Sequence, residues 1–171
     1  MNRKTIRTVF LYPPSKSYAD DPDAWWSWPG NDFDAEGRQQ KYMGVLDEMG
    51  KKLRMNVIMD DHSIWTAEHV AGLVKQLEAE PPDGLVIVLF ANHSRAQADR
   101  LSAAAEELGI PVVYYIALGV THGAGPSFRR YRRPGLHFVM SLENFEAIER
   151  GLRLIGEGKP LGQGPWPGSP A

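Results

Sequence analysis

The stretch "GLVIVLF", Gly84 to Phe90, constrains the fold more than any other part of this chain. It holds no polar side chain and is rich in β-branched residues. It is bounded by Pro81-Pro82-Asp83 on one side and by Ala91-Asn92-His93-Ser94 on the other. A run this short cannot span a membrane, and its length and flanking breakers favour a strand over a helix. A strand with no polar face has to be covered on both faces, which is the situation of a central strand in a parallel sheet between two helical layers. With 171 residues the chain is long enough to build one such core.

The rest of the sequence supplies the neighbours. "TIRTVFLY" (Thr5 to Tyr12), "MNVIM" (Met55 to Met59), "IPVVYYIA" (Ile110 to Ala117) and "GLHFVM" (Gly135 to Met140) read as four further strands. Between them, Tyr42, Val45, Leu46, Met49 and Leu53 recur at helical spacing, with Asp32 or Asp34 available as N-cap. Val70, Leu73, Val74 and Leu77 form a second helical stripe behind Thr66, stopped by Pro81-Pro82. Ser94 and Gln97 have the spacing of a capping box ahead of Leu101, Ala105 and Leu108, with Gly109 as the stop. Phe145, Ile148, Leu152 and Ile155 share one face of a last helix, for which Ser141 is the expected cap. Alternating strands and helices with right-handed crossovers predict an α/β fold of three layers, a doubly wound flavodoxin-like or Rossmann-like parallel sheet of five strands in the order 2-1-3-4-5. We read residues 1–156 as a single α/β domain and residues 157–171, rich in Gly and Pro, as a tail or linker.

In such a sheet ligands bind outside the carboxyl ends of the strands, where the first and third strands diverge. The loop after the first strand contains "WWSWPGNDF", which brings Trp25, Trp26, Trp28 and Asn31 to that edge. The loop after the third strand adds Asn92, His93 and Ser94, and the loop after the fourth adds Thr121 and His122 among glycines. Indole faces pack on the C–H faces of a sugar while amide, hydroxyl and imidazole groups meet its hydroxyls, so these residues form a candidate site for a sugar or small polyol. Plainer roles stand beside this one. The tryptophans suit a lid over the first helix or a subunit interface, Ser94 a helix cap, and Asn92 and His93 a turn. His93 and His122 are also the candidate acid/base residues should the chain be an enzyme.

Other function classes find little support. A formal net charge of -2 argues against a nucleic-acid partner, and "RRYRR" (Arg129 to Arg133) reads as solvated loop charge or as a site for a phosphate or an acidic partner surface. Absent cysteines exclude thiolate chemistry and cysteine metal sites. There is no Walker A sequence and no Gly-rich dinucleotide turn after the first strand, where "YPPSKSY" stands instead. Its two prolines also remove donors from any phosphate cradle built with Ser15 and Ser17. Asp60, Asp61 and His62 are ordinary turn chemistry on an edge strand, and we assign no metal site to them. The opening "MNRKTIRTVFLYPPS" has too short an apolar stretch for a signal peptide or a span, so the expected location is cytoplasmic, with no membrane partner.

"EPPDGLVIVLF" followed by "AEELGIPVVYYIALG", with the long Trp/Pro/Gly-rich first loop, resembles the N-terminal Rossmann-like domain of the L-fucose and L-arabinose isomerase-like family. The same stretches also resemble a periplasmic-binding-protein-type sugar-binding lobe. The first resemblance covers about residues 5 to 155 and implies a domain that helps enclose a sugar, often in a neighbouring subunit. It implies a divalent metal such as manganese only on later domains, which have no counterpart here, so no cofactor is expected in this chain. Three readings follow: a sugar- or polyol-binding domain lacking the metal-bearing catalytic part, a small-molecule enzyme using His93 or His122, and an oligomerisation or assembly domain whose Trp-rich loop packs on a partner subunit.

Overall fold

The structure, a computed structural model, describes residues 3–19, 34–117, 131–141 and 143–162, with the side chains of residues 18 and 19 excepted. Gly84–Leu89 forms the middle strand, β3, and every residue of it is buried. β1 (Thr5–Leu11) pairs with it on one side and β4 (Val112–Ile116) on the other, while β2 (Asn56–Met59) and β5 (Leu136–Met140) close the two edges. All pairings are parallel and the order is β2-β1-β3-β4-β5, as the alternation of elements predicts. The protein is therefore an α/β domain of flavodoxin-like or Rossmann-like architecture.

Alternate residues of β3 feed two separate cores. Val86 and Val88 pack with Tyr42, Leu46 and Met49 of α2 (Ala35–Leu53) and with Ile148, Leu152 and Ile155 of α5 (Phe145–Gly156). Leu85, Ile87 and Leu89 face the opposite layer, Val70, Leu73 and Leu77 of α3 (Ala67–Ala79) with Ala98, Leu101 and Ala105 of α4 (Arg95–Glu107). A short helix, α1 (Lys16–Ala19), follows β1. On the α5 side a glycine is required, because a Cβ at Gly151 would stand 2.6 Å from Val113 Cγ2 and 2.8 Å from His137 Cδ2.

Several local expectations are met. Asp34 caps α2 by accepting from the Gly37 N–H, Thr66 caps α3 by accepting from the His69 N–H, and Gly109 follows α4 at φ +70°. Two are corrected. Ser94 makes no capping bond from its side chain; it is 1% exposed and closes a 3₁₀ turn, Asn92–Ser94, that leads into α4. Nor does Ser141 cap α5, because its N–H donates to the Ile116 carbonyl at 3.2 Å and so prolongs the sheet pairing. The cap is Asn144, whose side chain accepts from the Ala147 N–H. Within the Gly/Pro-rich stretch assigned to the tail, Leu161 is 2% exposed and its carbonyl accepts from the Gly135 N–H.

Among the described residues no helix is long and apolar enough to cross a membrane.

Candidate carboxyl-edge site

The long helix between β1 and β2, α2, packs on one face of the sheet and α4, after β3, on the other, so the chain diverges between the ends of β1 and β3. The two ends remain joined by the Phe90 N–H, which donates to the Leu11 carbonyl at 3.1 Å. Their next side chains, Tyr12 and Phe90, lie with ring centroids 5.6 Å apart, and Tyr42 meets Phe90 edge-on at 5.0 Å. These rings make an apolar floor beneath the divergence.

The mouth above β3 is polar. Asn92 and His93 are exposed in the 3₁₀ turn, while Ser94 is buried and its N–H donates to the Ala91 carbonyl. Of the residues expected to form the site, the structure brings Asn92, His93 and Ser94 to the end of β3. Trp25, Trp26, Trp28, Asn31, Thr121 and His122 lie outside the described residues. Trp65, beyond the end of β2, is 39% exposed and packs edge-on against His69 at 5.9 Å.

Across the divergence stands the N-terminus of α2. Its Ala35 N–H donates to Ser15 Oγ at 3.0 Å, and its Gly37 N–H to Asp34 Oδ1 at 2.8 Å. Ser15 in turn donates its own N–H to Glu36 Oε1 at 2.9 Å, so the start of the first loop and the start of α2 clamp each other. A free helix N-terminus attracts phosphate. Here two donors are already used and two carboxylates, Asp34 and Glu36, occupy the first turn, so this end repels an anion and offers acceptors instead.

Below the clamp runs a polar chain that the sequence reading did not single out. The Tyr12 hydroxyl donates to Gln39 Oε1 at 2.6 Å, and Gln39 Nε2 donates to the Asp60 carbonyl at 2.9 Å. Gln39 is 1% exposed. Burial, reinforced by the Glu36 and Asp34 carboxylates, holds the Tyr12 phenol well above its ordinary range, so it stays a donor. The signal was present in the spacing: Gln39 falls one turn before Tyr42, Leu46 and Met49 on the buried face of α2.

The acidic residues after β2 are held in pairs. Asp60 accepts from Arg7, and Asp61 lies 3.2 Å from His62 on the surface. Among the described residues no group of three or more His, Asp or Glu side chains is arranged to hold a metal. Glu143 sits at φ +50° and accepts from both Arg38 and Lys41 of α2, which hold its carboxyl below the usual carboxylate range, Lys41 foremost. Of the basic run, residues 131–133 are described. Tyr131 is buried against Phe138, with parallel rings 4.2 Å apart, and Arg133 is committed to Ser102 and Glu106.

No protein-family model matches the chain, and neither does any curated protein.

Proposed function

We propose that this chain is a binding domain for a neutral, polyhydroxylated small molecule of the sugar or polyol class, held at the carboxyl edge between the ends of β1 and β3. The observation that carries the reading is the pairing of exposed Asn92 and His93 on one side of the divergence with a carboxylate-filled helix end on the other. Amide, imidazole and carboxylate groups suit hydroxyls, which both donate and accept, whereas Asp34 and Glu36 disfavour the phosphate of a nucleotide or flavin. The sequence of the first loop also holds Trp25, Trp26 and Trp28, residue types whose rings suit the C–H faces of a sugar. The resemblance to the N-terminal domain of sugar isomerases points the same way, as analogy. On this reading the chain recognises its ligand, and any metal-assisted step belongs to a domain or partner beyond it.

Titrating the intrinsic tryptophan fluorescence with pentoses, hexoses, deoxysugars and polyols, with and without manganese, tests the proposal. A saturable change with one class, weakened at least about tenfold by Asn92→Ala or His93→Ala, is expected, since each removes roughly 1.4 kcal/mol or more of hydrogen bonding to the ligand. A flat response across the panel sinks it. Turnover of a bound sugar that disappears in His93→Ala would instead make the domain an enzyme.

A further inference from the structure

Among the described residues β2 (Asn56–Met59) is paired on one side only, with β1. Its Asn56 N–H donates to the Lys4 carbonyl at 2.8 Å, so in the alternation of a parallel ladder Asn56 and Ile58 bond to β1 while Val57 and Met59 turn their N–H and C=O groups outward. Such an edge is a template for a further strand unless charge, proline or a covering segment blunts it. β2 carries neither a charged residue nor a proline, and its Ile58 is 40% exposed. The other outer strand, β5, has no exposed residue.

Charge is distributed about β2 in a self-complementary way. Arg54, just before the strand, is exposed and joins no ion pair among the described residues. Asp61, just after it, is exposed and lies 3.2 Å from His62 on the surface. A strand with a cation ahead and a carboxylate behind matches a second copy of itself laid antiparallel, since each Arg54 then comes alongside the partner's Asp61. The register follows from the backbone. A two-fold axis normal to the sheet sets residues of the same face opposite one another. Centred on Ile58, it brings the two exposed isoleucines together as a close non-hydrogen-bonded pair, and Val57 of each copy exchanges both backbone bonds with the partner's Met59. Centred on Val57 instead, the pairing would call on the Met55 N–H, which already donates to the Gly50 carbonyl at 2.8 Å. Centred on Met59, it would set Ile58 against the charged Asp60.

We propose that β2 is a self-association edge, through which two copies of this chain join their sheets antiparallel about a two-fold axis at Ile58. The contact is isologous, so it closes at two copies. Because the strand is short, it belongs with the small, reversible interfaces, below about 1,200 Å² in total. The pairing leaves the ends of β1 and β3 open, so it is independent of ligand binding at the carboxyl edge.

Sedimentation velocity on the full chain over a wide concentration range, with amide hydrogen exchange measured at both ends of it, tests the pairing. A monomer–dimer equilibrium is expected, with slower exchange of the Val57 and Met59 amides in the dimer. Arg54→Glu and Asp61→Arg, both at exposed positions and each checked for folding by circular dichroism, should each weaken the dimer at least about tenfold by setting like charges together twice. An equimolar mixture of the two variants should dimerise again, because both contacts then join opposite charges. A chain that stays monomeric throughout overturns the proposal. So does a dimer in which these two amides exchange no more slowly, one indifferent to both substitutions, or one that mixing the variants fails to restore.

Discussion

The hydroxyl of Tyr12 donates to Gln39 Oε1 at 2.6 Å although the two residues are 27 apart in sequence, and through Gln39 the end of β1 is joined to the Asp60 carbonyl beyond β2. A buried amide that both accepts and donates fixes where α2 enters the domain. It thereby sets where Asp34 and Glu36 stand relative to Asn92 and His93. Gln39→Ala leaves the Asp60 carbonyl and one bond of the Tyr12 hydroxyl unmade in a buried place, at a cost of about 2–3 kcal/mol. Tyr12→Phe unpairs the Gln39 acceptor and removes the hydroxyl's hydrogen bond with Ser63, for about 1 kcal/mol. Urea unfolding of both variants and of the double variant checks this: the double should cost less than the sum, and strict additivity would show that the two side chains do not act together.

Why the frame was legible in the sequence and this link was not follows from what each needs. "GLVIVLF" declares a two-sided environment by itself, and Asp34 and Thr66 cap helices through donors three residues away, so both are local facts. Ser94 and Ser141 had the right letters for caps, but tertiary packing used them otherwise, one turned into the core and the other retained by the Ile116 carbonyl. Gln39 and Glu143 act on partners 21 and 105 residues distant. A polar residue on a buried helix face signals that a partner exists without saying which.

Thr8 on β1 is fully buried, and its hydroxyl has no hydrogen-bond partner among the described residues. Burying an unpaired hydroxyl is unfavourable, and valine keeps the branched shape and strand preference without it. Thr8→Val should therefore stabilise the domain by about 1 kcal/mol, raising the urea midpoint with the slope unchanged. A lowered midpoint would mean that the hydroxyl is satisfied in solution.

Glu143 ties the β5–α5 loop to α2 through Arg38 and Lys41. Its carboxyl is held below the ordinary value, so the pairing contributes above the unfolded-state pKa of about 4.3 and is lost as pH falls through the folded one. Glu143→Gln should cost about 0.5–1 kcal/mol at pH 7, a modest figure because Lys41 is half exposed. The difference from the native chain should shrink below pH 4 and in about 1 M salt. A cost that persists under both conditions would assign the effect to packing.

His137 lies on β5 beneath Gly151 of α5, and its Nε2 stands 2.9 Å from the Ala147 carbonyl oxygen. A carbonyl only accepts, so the neutral ring carries its proton on Nε2. Burial lowers its pKa below the ordinary histidine value, and Arg150 adds to the effect, while the bond to Ala147 opposes it. The unfolded chain thus takes up a proton near pH 6.5 that the folded chain resists. The stability associated with this residue is complete above about pH 6.5 and declines as the pH drops, by no more than about 1.4 kcal/mol per pH unit for one proton. His137→Gln retains a donor for Ala147 and cannot titrate, so its unfolding free energy should change less between pH 7 and 5 than that of the native chain. Equal slopes for the two would show that His137 is protonated as readily in the fold as outside it.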